Sequence, residues 1–475
     1  MRANGSAGGV RVRAIAGTRV VLLAMDCDEA SRKGLMGFAV SRRRGTRAPM
    51  WLASMKVFRS IVPDPGPALR DRTRKVPPFL TDRHPIQGFL WSDYDADPDT
   101  AYVYTVVPMY EPVDDLRPGP AVRVEVRTES EDVGSHRIWF NRGAVASQAF
   151  AREFGNTGPT KAQAKDPSSR VTRWLARGLL DACLDFIDST APDQALRVAA
   201  YELTYQPILD AFKRALDRGV DVKIVYADES GAAASEAELA LAAAGIPAKV
   251  GNRRILFPRR NAGDIPHNKF IVRLNGRRPV AVWTGSTNFT PSGFLGQTNV
   301  GHLLADAKVA RTYLTYWTLL SKDPTWDDTR TGVLDLTPDP PNVVAPGSTT
   351  VLLSPRRSSD MLHWYGERIE DTATVACLTA AFGVDKRLAA HLVRPGDALR
   401  YLLLEKAPTT TLATALRTEP DVITAYGIPL GELYRMVDGQ PVGRERIKEF
   451  ELDKWFLREE HFRSANDGFV FFVHR

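Results

Sequence analysis

In Pro266-His267-Asn268-Lys269-Phe270-Ile271-Val272 an imidazole and an ammonium stand two residues apart. On extended backbone that spacing sends both side chains to the same side. Sixteen residues beyond Lys269 begins Gly285-Ser286-Thr287-Asn288, and the apolar run Val280 to Trp283 before it reads as a neighbouring strand. Two strands would then turn an imidazole, an ammonium, a hydroxyl and a carboxamide towards one place. That inventory suits a phosphate diester. A neutral imidazole can attack phosphorus, an ammonium and amide N–H groups can hold the non-bridging oxygens, and a glycine lets the backbone approach closely. The candidate catalytic residues are therefore His267, Lys269, Ser286 and Asn288. An H-x-K pair alone is a weak signal; the G-S-x-N that follows a strand-like run makes the combination specific.

The surroundings are basic. Between Gly251 and Arg278 stand Arg253, Arg254, Arg259, Arg260, Lys269, Arg273, Arg277 and Arg278 against one acid, Asp264, a balance equal to the formal charge of +7 for the whole chain. Around such a motif the run reads as attraction for an anionic phosphodiester, with Arg259 and Arg260 as candidate substrate contacts. Tyr201-Glu202 and Glu405-Lys406 fall at the carboxyl ends of expected strands, where open α/β sheets place ligands, so Glu202 is a further candidate for lining the pocket.

These groups need a sheet to hold them, and the pattern supplies one. Val171 to Ile187 carries apolar residues at helical spacing, Leu196 to Leu203 reads as a buried strand, Pro207 to Arg218 as a helix and Val220 to Tyr226 as another strand. This β-α-β order implies a parallel sheet with helices packed on it. It recurs: Ala373 to Phe382 reads as a buried strand, Lys386 to Leu392 as a helix and Ala398 to Glu405 as a strand. Between the copies lie a helix near Val309 to Leu320 and the Pro-rich stretch Pro338-Asp339-Pro340-Pro341 to Pro346-Gly347, which suits a linker. Before them, short β-rich runs (Arg19 to Met25, Gly37 to Val40, Tyr102 to Val107, Val122 to Val126) separated by turn signals read as a small accessory β-sandwich. The stretch from Trp91 to Val106 loosely resembles a strand pair of a fibronectin type III-like module.

H-x-K followed by G-S-x-N on adjacent strands resembles the signature of the phospholipase D superfamily, and Asn299 matches a further polar position often seen in it. The resemblance implies an α/β fold: a phospholipase D-like duplicated α-β-α module, its second copy incomplete, preceded by the β-sandwich. The expected organisation is an accessory domain over 1–135, a first repeat with the complete motif over 136–330, a linker over 331–350 and a second repeat over 351–475. The resemblance also implies a phosphohistidine nucleophile from one H-x-K and an imidazole acid from the other, with no metal or cofactor. Aligning the repeats places the second imidazole at His474, at the end of the apolar run Gly468 to Val473, so the second motif is expected to be cut short before its Lys. One departure stands out: five residues after Lys269, where the family usually has Asp, this chain has Leu274. The missing carboxylate bears on how His267 is oriented. The substrate class implied is a phospholipid; alternatives are a nucleic acid tracked by Arg253, Arg254, Arg259 and Arg260, or a phosphate-binding protein that has lost turnover with its second motif.

The bulk composition fits an enzyme of this kind. A 475-residue chain with 44% hydrophobic and 25% charged residues can build two or three ordinary cores. The apolar run Val20 to Met25 is far short of the ~20 residues a membrane span needs. Cys27, Cys183 and Cys377 are odd in number and far apart, so reduced thiols rather than disulfides or a zinc site are expected. The expectation is a cytoplasmic monomer without an integral membrane segment.

Overall fold

The structure is a computed structural model. It describes the chain except residues 55, 66, 69–78, 144–149, 151–152, 155–157, 229–234, 262–265, 341–342, 346, 374, 381–382, 397, 405–407, 420, 427–432, 438–439, 446–472 and 475, and gives backbone alone for 425–426, 433–437, 440–445 and 473–474. The expected strand-end pair Glu405-Lys406 thus lies outside the described residues. Two compact units, Met1–Arg137 and Ile138–Arg475, divide the chain.

In the first unit, β1 (Arg2–Ala7), β2 (Val10–Ala16), β3 (Val21–Cys27) and β6 (Leu90–Asp93) form one sheet. A short helix α1 (Glu29–Arg32) leads to the second sheet, built from β4 (Leu35–Arg44), β5 (Met50–Trp51), β7 (Ala101–Tyr110), β8 (Arg117–Pro118) and β9 (Val122–Arg127). Strict alternation explains the arrangement. In β2 and β9 every other residue is a buried valine or alanine, and the residues between are mostly arginine. The inward side chains of both sheets meet in one core around Leu23, Val40, Tyr104 and Val124. Trp91 and Tyr102 do not belong to a strand pair, as expected, but to different sheets: β6 pairs with β3, and β7 with β4 and β9. Buried Asp93 accepts hydrogen bonds from Arg42 Nη1 at 2.7 Å and Tyr104 Oη at 2.8 Å, so the inward charge is paired.

The second unit is α/β. After β10 (His136–Phe140), which crosses the boundary, come α2 (Lys161–Lys165), α3 (Arg170–Ala176) and α4 (Leu179–Asp188). A single helix expected over Val171 to Ile187 is two, because Arg177 and Gly178 take left-handed φ of 49° and 87°. Then follow β11 (Gln194–Ala200), α5 (Gln206–Asp217), β12 (Asp221–Ala227), α6 (Glu236–Ala243), the hairpin β13 (Lys249–Val250) and β14 (Arg253–Arg254), and β15 (Leu256–Arg259). The first part closes with β16 (Lys269–Asn275), β17 (Arg278–Gly285), α7 (Pro291–Leu295), β18 (Val300–Leu304), α8 (Ala307–Leu320) and α9 (Trp326–Leu336).

One seven-stranded sheet runs β10-β18-β17-β16-β11-β12-β15. β11, β12 and β15 are parallel, whereas β16 runs against β11 and β17 against β16. Helices cover both faces. Leu196, Val198 and Ile271 pack with residues of α3, α4 and α5, while Ala195, Ala199, Phe270 and Val272 pack with residues of α8. Burial on both faces is why these strands read as continuous apolar runs. The expected linker begins later than 331, since α9 continues to Leu336. Beyond it the chain packs back: Tyr316 Oη donates to Ser354 O at 2.8 Å, and Leu353 N to Thr337 Oγ1 at 3.2 Å.

The last part contains α10 (Met361–Glu370), β19 (Val375–Ala380), α11 (Lys386–Leu392), β20 (Leu399–Leu404), α12 (Thr410–Arg417), β21 (Val422–Tyr426), β22 (Leu433–Val437), β23 (Gln440–Glu445) and β24 (Val473–His474). β19, β20 and β21 are parallel, repeating the order of β11, β12 and β15. β19 was expected to be buried, yet it alternates between exposed and half-buried residues. No helix among the described residues is long and apolar enough to cross a membrane. Cys27 and Cys183 are buried and Cys377 is exposed.

Candidate active site at one edge of the seven-stranded sheet

Strand direction decides which residues meet. β11 ends at Ala200, opposite Lys269 at the start of β16. β17 ends at Gly285, opposite Gly301 near the start of β18. The carboxyl ends of β11 and β17 and the amino ends of β16 and β18 thus share one edge. It carries Tyr201 and Glu202, His267 and Lys269, Ser286 and Asn288, and Asn299.

The four motif residues sit there differently. His267 is exposed and its ring lies edge-on to Tyr201, centroids 4.9 Å apart. Lys269 is only 7% exposed; its Nζ is 5.9 Å from the centre of the same Tyr201 ring and donates to His267 O at 3.0 Å. Imidazole and ammonium therefore lie against one ring, on one side of the strand. Burial pulls the Lys269 ammonium down to about 8, with the charge of Glu202 opposing. Partial desolvation, then the Lys269 charge, hold the imidazole of His267 below its ordinary value. Among the described residues no group of three or more His, Cys, Asp or Glu could hold a metal ion.

Ser286 fixes the turn. Its Oγ donates to Asn299 Oδ1 at 2.9 Å and accepts from Val300 N at 3.1 Å. Asn288 Nδ2 donates to Glu202 Oε2, and Asn288 Oδ1 is buried without a hydrogen-bond partner. Asn299 Nδ2 donates to Gly293 O at 2.9 Å. Gly285 has φ of +138°, and a Cβ on it would lie 2.1 Å from Val300 O, so only glycine lets β17 and β18 close here.

Two further residues here were not among the site candidates read from the sequence. Asn141, 3% exposed, donates through Nδ2 to Phe294 O at 2.8 Å and Gln297 O at 2.6 Å and accepts from Asn299 N at 2.7 Å. It ties the α7 loop to the sheet across more than 150 residues of chain, which no local pattern reveals. Tyr201, between an apolar strand and Glu202, reads locally as one more strand residue.

The basic run is not a single surface. Arg259 was expected to touch substrate, but it is 3% exposed and donates to Leu320 O and Pro324 O at 3.4 and 3.3 Å, with Asp323 3.6 Å from Nε. Arg260 is at the same edge as His267 and more accessible, and its Nε donates to Asp228 Oδ2 at 2.7 Å. Arg253 and Arg254 precede β15, Arg277 lies in the turn between β16 and β17, and Arg278 opens β17, all at the opposite edge. Arg273 donates to Phe186 O and lies over the Phe186 ring. Its pKa falls to about 10 through burial.

Leu274 is 5% exposed and packs in the core that contains Phe270 and Val272, on the opposite face of β16 from Lys269. Seven residues of extended chain separate it from His267, roughly 20 Å. A carboxylate there would not reach the imidazole, whose ring contact is with Tyr201. In the last part of the chain, His474 pairs through its backbone with Ala425 of β21. The H-x-K strand of the first part lies instead beside β11, whose counterpart is β19. Backbone pairing therefore does not place His474 as a repeat of His267.

Residues 184–318 match the family model described as "Cardiolipin synthase, PLD-like domain". Nuc from Salmonella typhimurium, described as a phospholipase D family member, is 32% identical over 29% of this chain and 83% of its own, with a TM-score of 0.24. NucT from Helicobacter pylori is 19% identical over 31% and 90%, with a TM-score of 0.26. Phosphatidylserine synthase from Haemophilus influenzae is 12% identical over 55% and 72%, with a TM-score of 0.35. No curated protein matches the chain.

Proposed function

Because the chain belongs to the phospholipase D superfamily and so acts on phosphodiesters, we propose that it hydrolyses or transfers lipid-type phosphodiesters through a phosphohistidine on His267. The imidazole, neutral at physiological pH, attacks phosphorus; a nitrogen–phosphorus bond forms as the bond to the leaving alcohol oxygen breaks. Lys269 and the amide of Asn288 bind the non-bridging oxygens, where charge develops. Water or a second alcohol then attacks, forming a new oxygen–phosphorus bond, and the histidine leaves. Ser286 and Asn299 act by fixing the loop that carries Asn288.

The alcohol must leave with a proton while His267 is unprotonated, so a second acid is required. His474 is the candidate the sequence offers. The proposed assignment gives a distinct result: His474→Ala should slow release of an alkyl alcohol while sparing an activated aryl leaving group, which departs without a proton. Equal loss with both leaving groups rejects it.

The observation carrying the proposal is the convergence at one sheet edge: an exposed imidazole, a buried ammonium 3.0 Å from that residue's carbonyl, and the Asn288 amide. Arg253 and Arg254 at the opposite edge weaken the nucleic-acid reading, and the matched family model is named for a lipid enzyme. The test combines a chromogenic aryl phosphodiester, phospholipid vesicles and single-stranded DNA with an acid quench to trap phosphohistidine. Turnover of the first two with a trapped adduct lost in His267→Ala is expected. Cleavage of DNA alone, falling steeply with salt, would replace the lipid with nucleic acid. Phosphate binding without turnover of any diester would overturn the enzyme.

A further inference from the structure

Glu202 is an acid at the edge where the function proposed above places an anion. It directly follows β11 and Tyr201, is exposed, accepts the Nδ2 hydrogen bond of Asn288, and acts electrostatically on Lys269. These are the two groups assigned above to the phosphoryl oxygens, and the inference rests on that assignment. A carboxylate oxygen only accepts hydrogen bonds, as a phosphoryl oxygen does, so Glu202 and a bound phosphate compete for the same donor.

We propose that Glu202 is a specificity-determining residue that admits monoanionic phosphodiesters and rejects dianionic phosphate monoesters and inorganic phosphate. With the imidazole neutral, Lys269 and Glu202 balance each other. A diester brings one negative charge, which Lys269 and the Asn288 amide can accommodate. A dianion brings a second charge beside the carboxylate, where like charges repel; of the described arginines nearby, Arg259 is held by Leu320, Pro324 and Asp323 and Arg260 by Asp228. Hydrolysis converts the monoanionic diester into a monoester that becomes dianionic above a pKa near 6. The same repulsion therefore helps to expel the product.

A merely structural role, steadying Asn288, would affect diesters and monoesters alike. The test measures KM and kcat for a chromogenic aryl diester, and inhibition by inorganic phosphate, in the wild type and in Glu202→Gln, Glu202→Ala and Glu202→Asp. Glutamine keeps an acceptor near Asn288 without the charge. The expected result is roughly tenfold tighter inhibition by phosphate in the Gln and Ala variants at pH 7.5, with the diester KM moving less than about threefold. The Asp variant should retain discrimination, and the Gln effect should shrink at pH 5.5, where phosphate is monoanionic. Inhibition and KM that move together, or a ratio indifferent to pH, would overturn the inference. Should the wild type turn over no diester, the function proposed above falls. Calorimetric binding of inorganic phosphate against dimethyl phosphate to the same variants then still decides the role of Glu202.

Discussion

The second unit contains two β-α-β units of the same order, β11-α5-β12 and β19-α11-β20, each with parallel register. In the first, residues of β11 enter cores on both faces of the sheet; in the second, Val375, Cys377 and Thr379 of β19 are exposed and the core is built around Leu392, Leu402, Leu404 and Val422. The larger contrast is at the strand edges. β11 gains β16, β17 and β18 on its free side, and those strands bring His267, Lys269, Ser286 and Asn288 to its carboxyl end. Among the described residues β19 has no strand on that side, and β24 is added beyond β21. On the function proposed above, the β-α-β unit is a support, and the chemistry belongs to the antiparallel strands laid against it.

The histidines show the same contrast. His267 is exposed and steadied by a ring contact. His391 is 5% exposed, with Nδ1 at 2.7 Å from Glu370 Oε2 and Nε2 at 3.2 Å from His363 Nδ1, while Arg394 holds Glu370. The first is available to a substrate and the second is enclosed by its own neighbours. The sharpest way to break the comparison is to remove each imidazole in turn. His267→Ala should lower kcat/KM for an aryl phosphodiester by at least ~10³-fold, because it removes the proposed nucleophile. His391→Ala should leave it within about twofold. Comparable losses in both would mean that the second part contributes to the chemistry through His391.

Glycines extend the contrast to stability. A Cβ at Gly285 would meet the backbone carbonyl of Val300 at 2.1 Å, whereas one at Gly366 would meet the His391 ring at 2.3 Å. Backbone within a sheet cannot yield, and φ at Gly285 is unfavourable for any side chain. Gly285→Ala should cost about 2–4 kcal/mol in denaturant unfolding and lower activity with it. Gly366→Ala should cost less, because a side chain can turn away. A reversed order would show that the two edges differ less in rigidity than their burial indicates.

The pH profile sharpens the electrostatic side. Lys269 has a folded value of about 8, below the ordinary 10.5, so its charge is complete below that point and lost as pH rises through it. His267 is held below its ordinary value, so its neutral form persists further into acid than that of a free imidazole. kcat/KM should therefore be bell-shaped, with its alkaline limb near pH 8. Lys269→Met should cost on the order of 10²-fold and abolish that limb. Since the charge of Glu202 raises Lys269, Glu202→Gln should move the limb towards acid. An alkaline limb that survives in Lys269→Met belongs to another group.

Much of this arrangement was legible in the sequence because it is local or periodic. The helix Lys386–Leu392 and strand β12 follow apolar spacing closely, and the H-x-K and G-S-x-N spacings marked the edge residues. What escaped depends on distant contacts. β1 has no apolar alternation and exists by pairing with β2. Arg259 looked like a substrate contact because sequence cannot show that the loop at Leu320 to Pro324 closes over it. Asn141 meets Asn299 from the end of β10, the strand beside β18, and Tyr201 meets His267 from the end of β11, contacts that join residues far apart in the chain. Glu202 was visible as a strand-end acid, but its hydrogen bond to Asn288 spans 86 residues.

The smallest expected effect tests whether the His391 cluster is structural alone. Its imidazole links Glu370, on α10, to His363 one turn or more away on the same helix, and α11 carries it into the interface. Removing the ring in His391→Ala leaves Glu370 its bonds to Arg394, so the loss is the imidazole hydrogen bonds and the packing beneath Gly366. About 1–3 kcal/mol of local stability should disappear. Hydrogen exchange should read this as faster exchange in α10, α11 and β20 with unchanged protection in β11, β16 and β17, because the two sheets have separate cores. If protection falls in both sheets together, they unfold as one cooperative body, and the division of labour between an enclosed support and a working edge is not a division in stability.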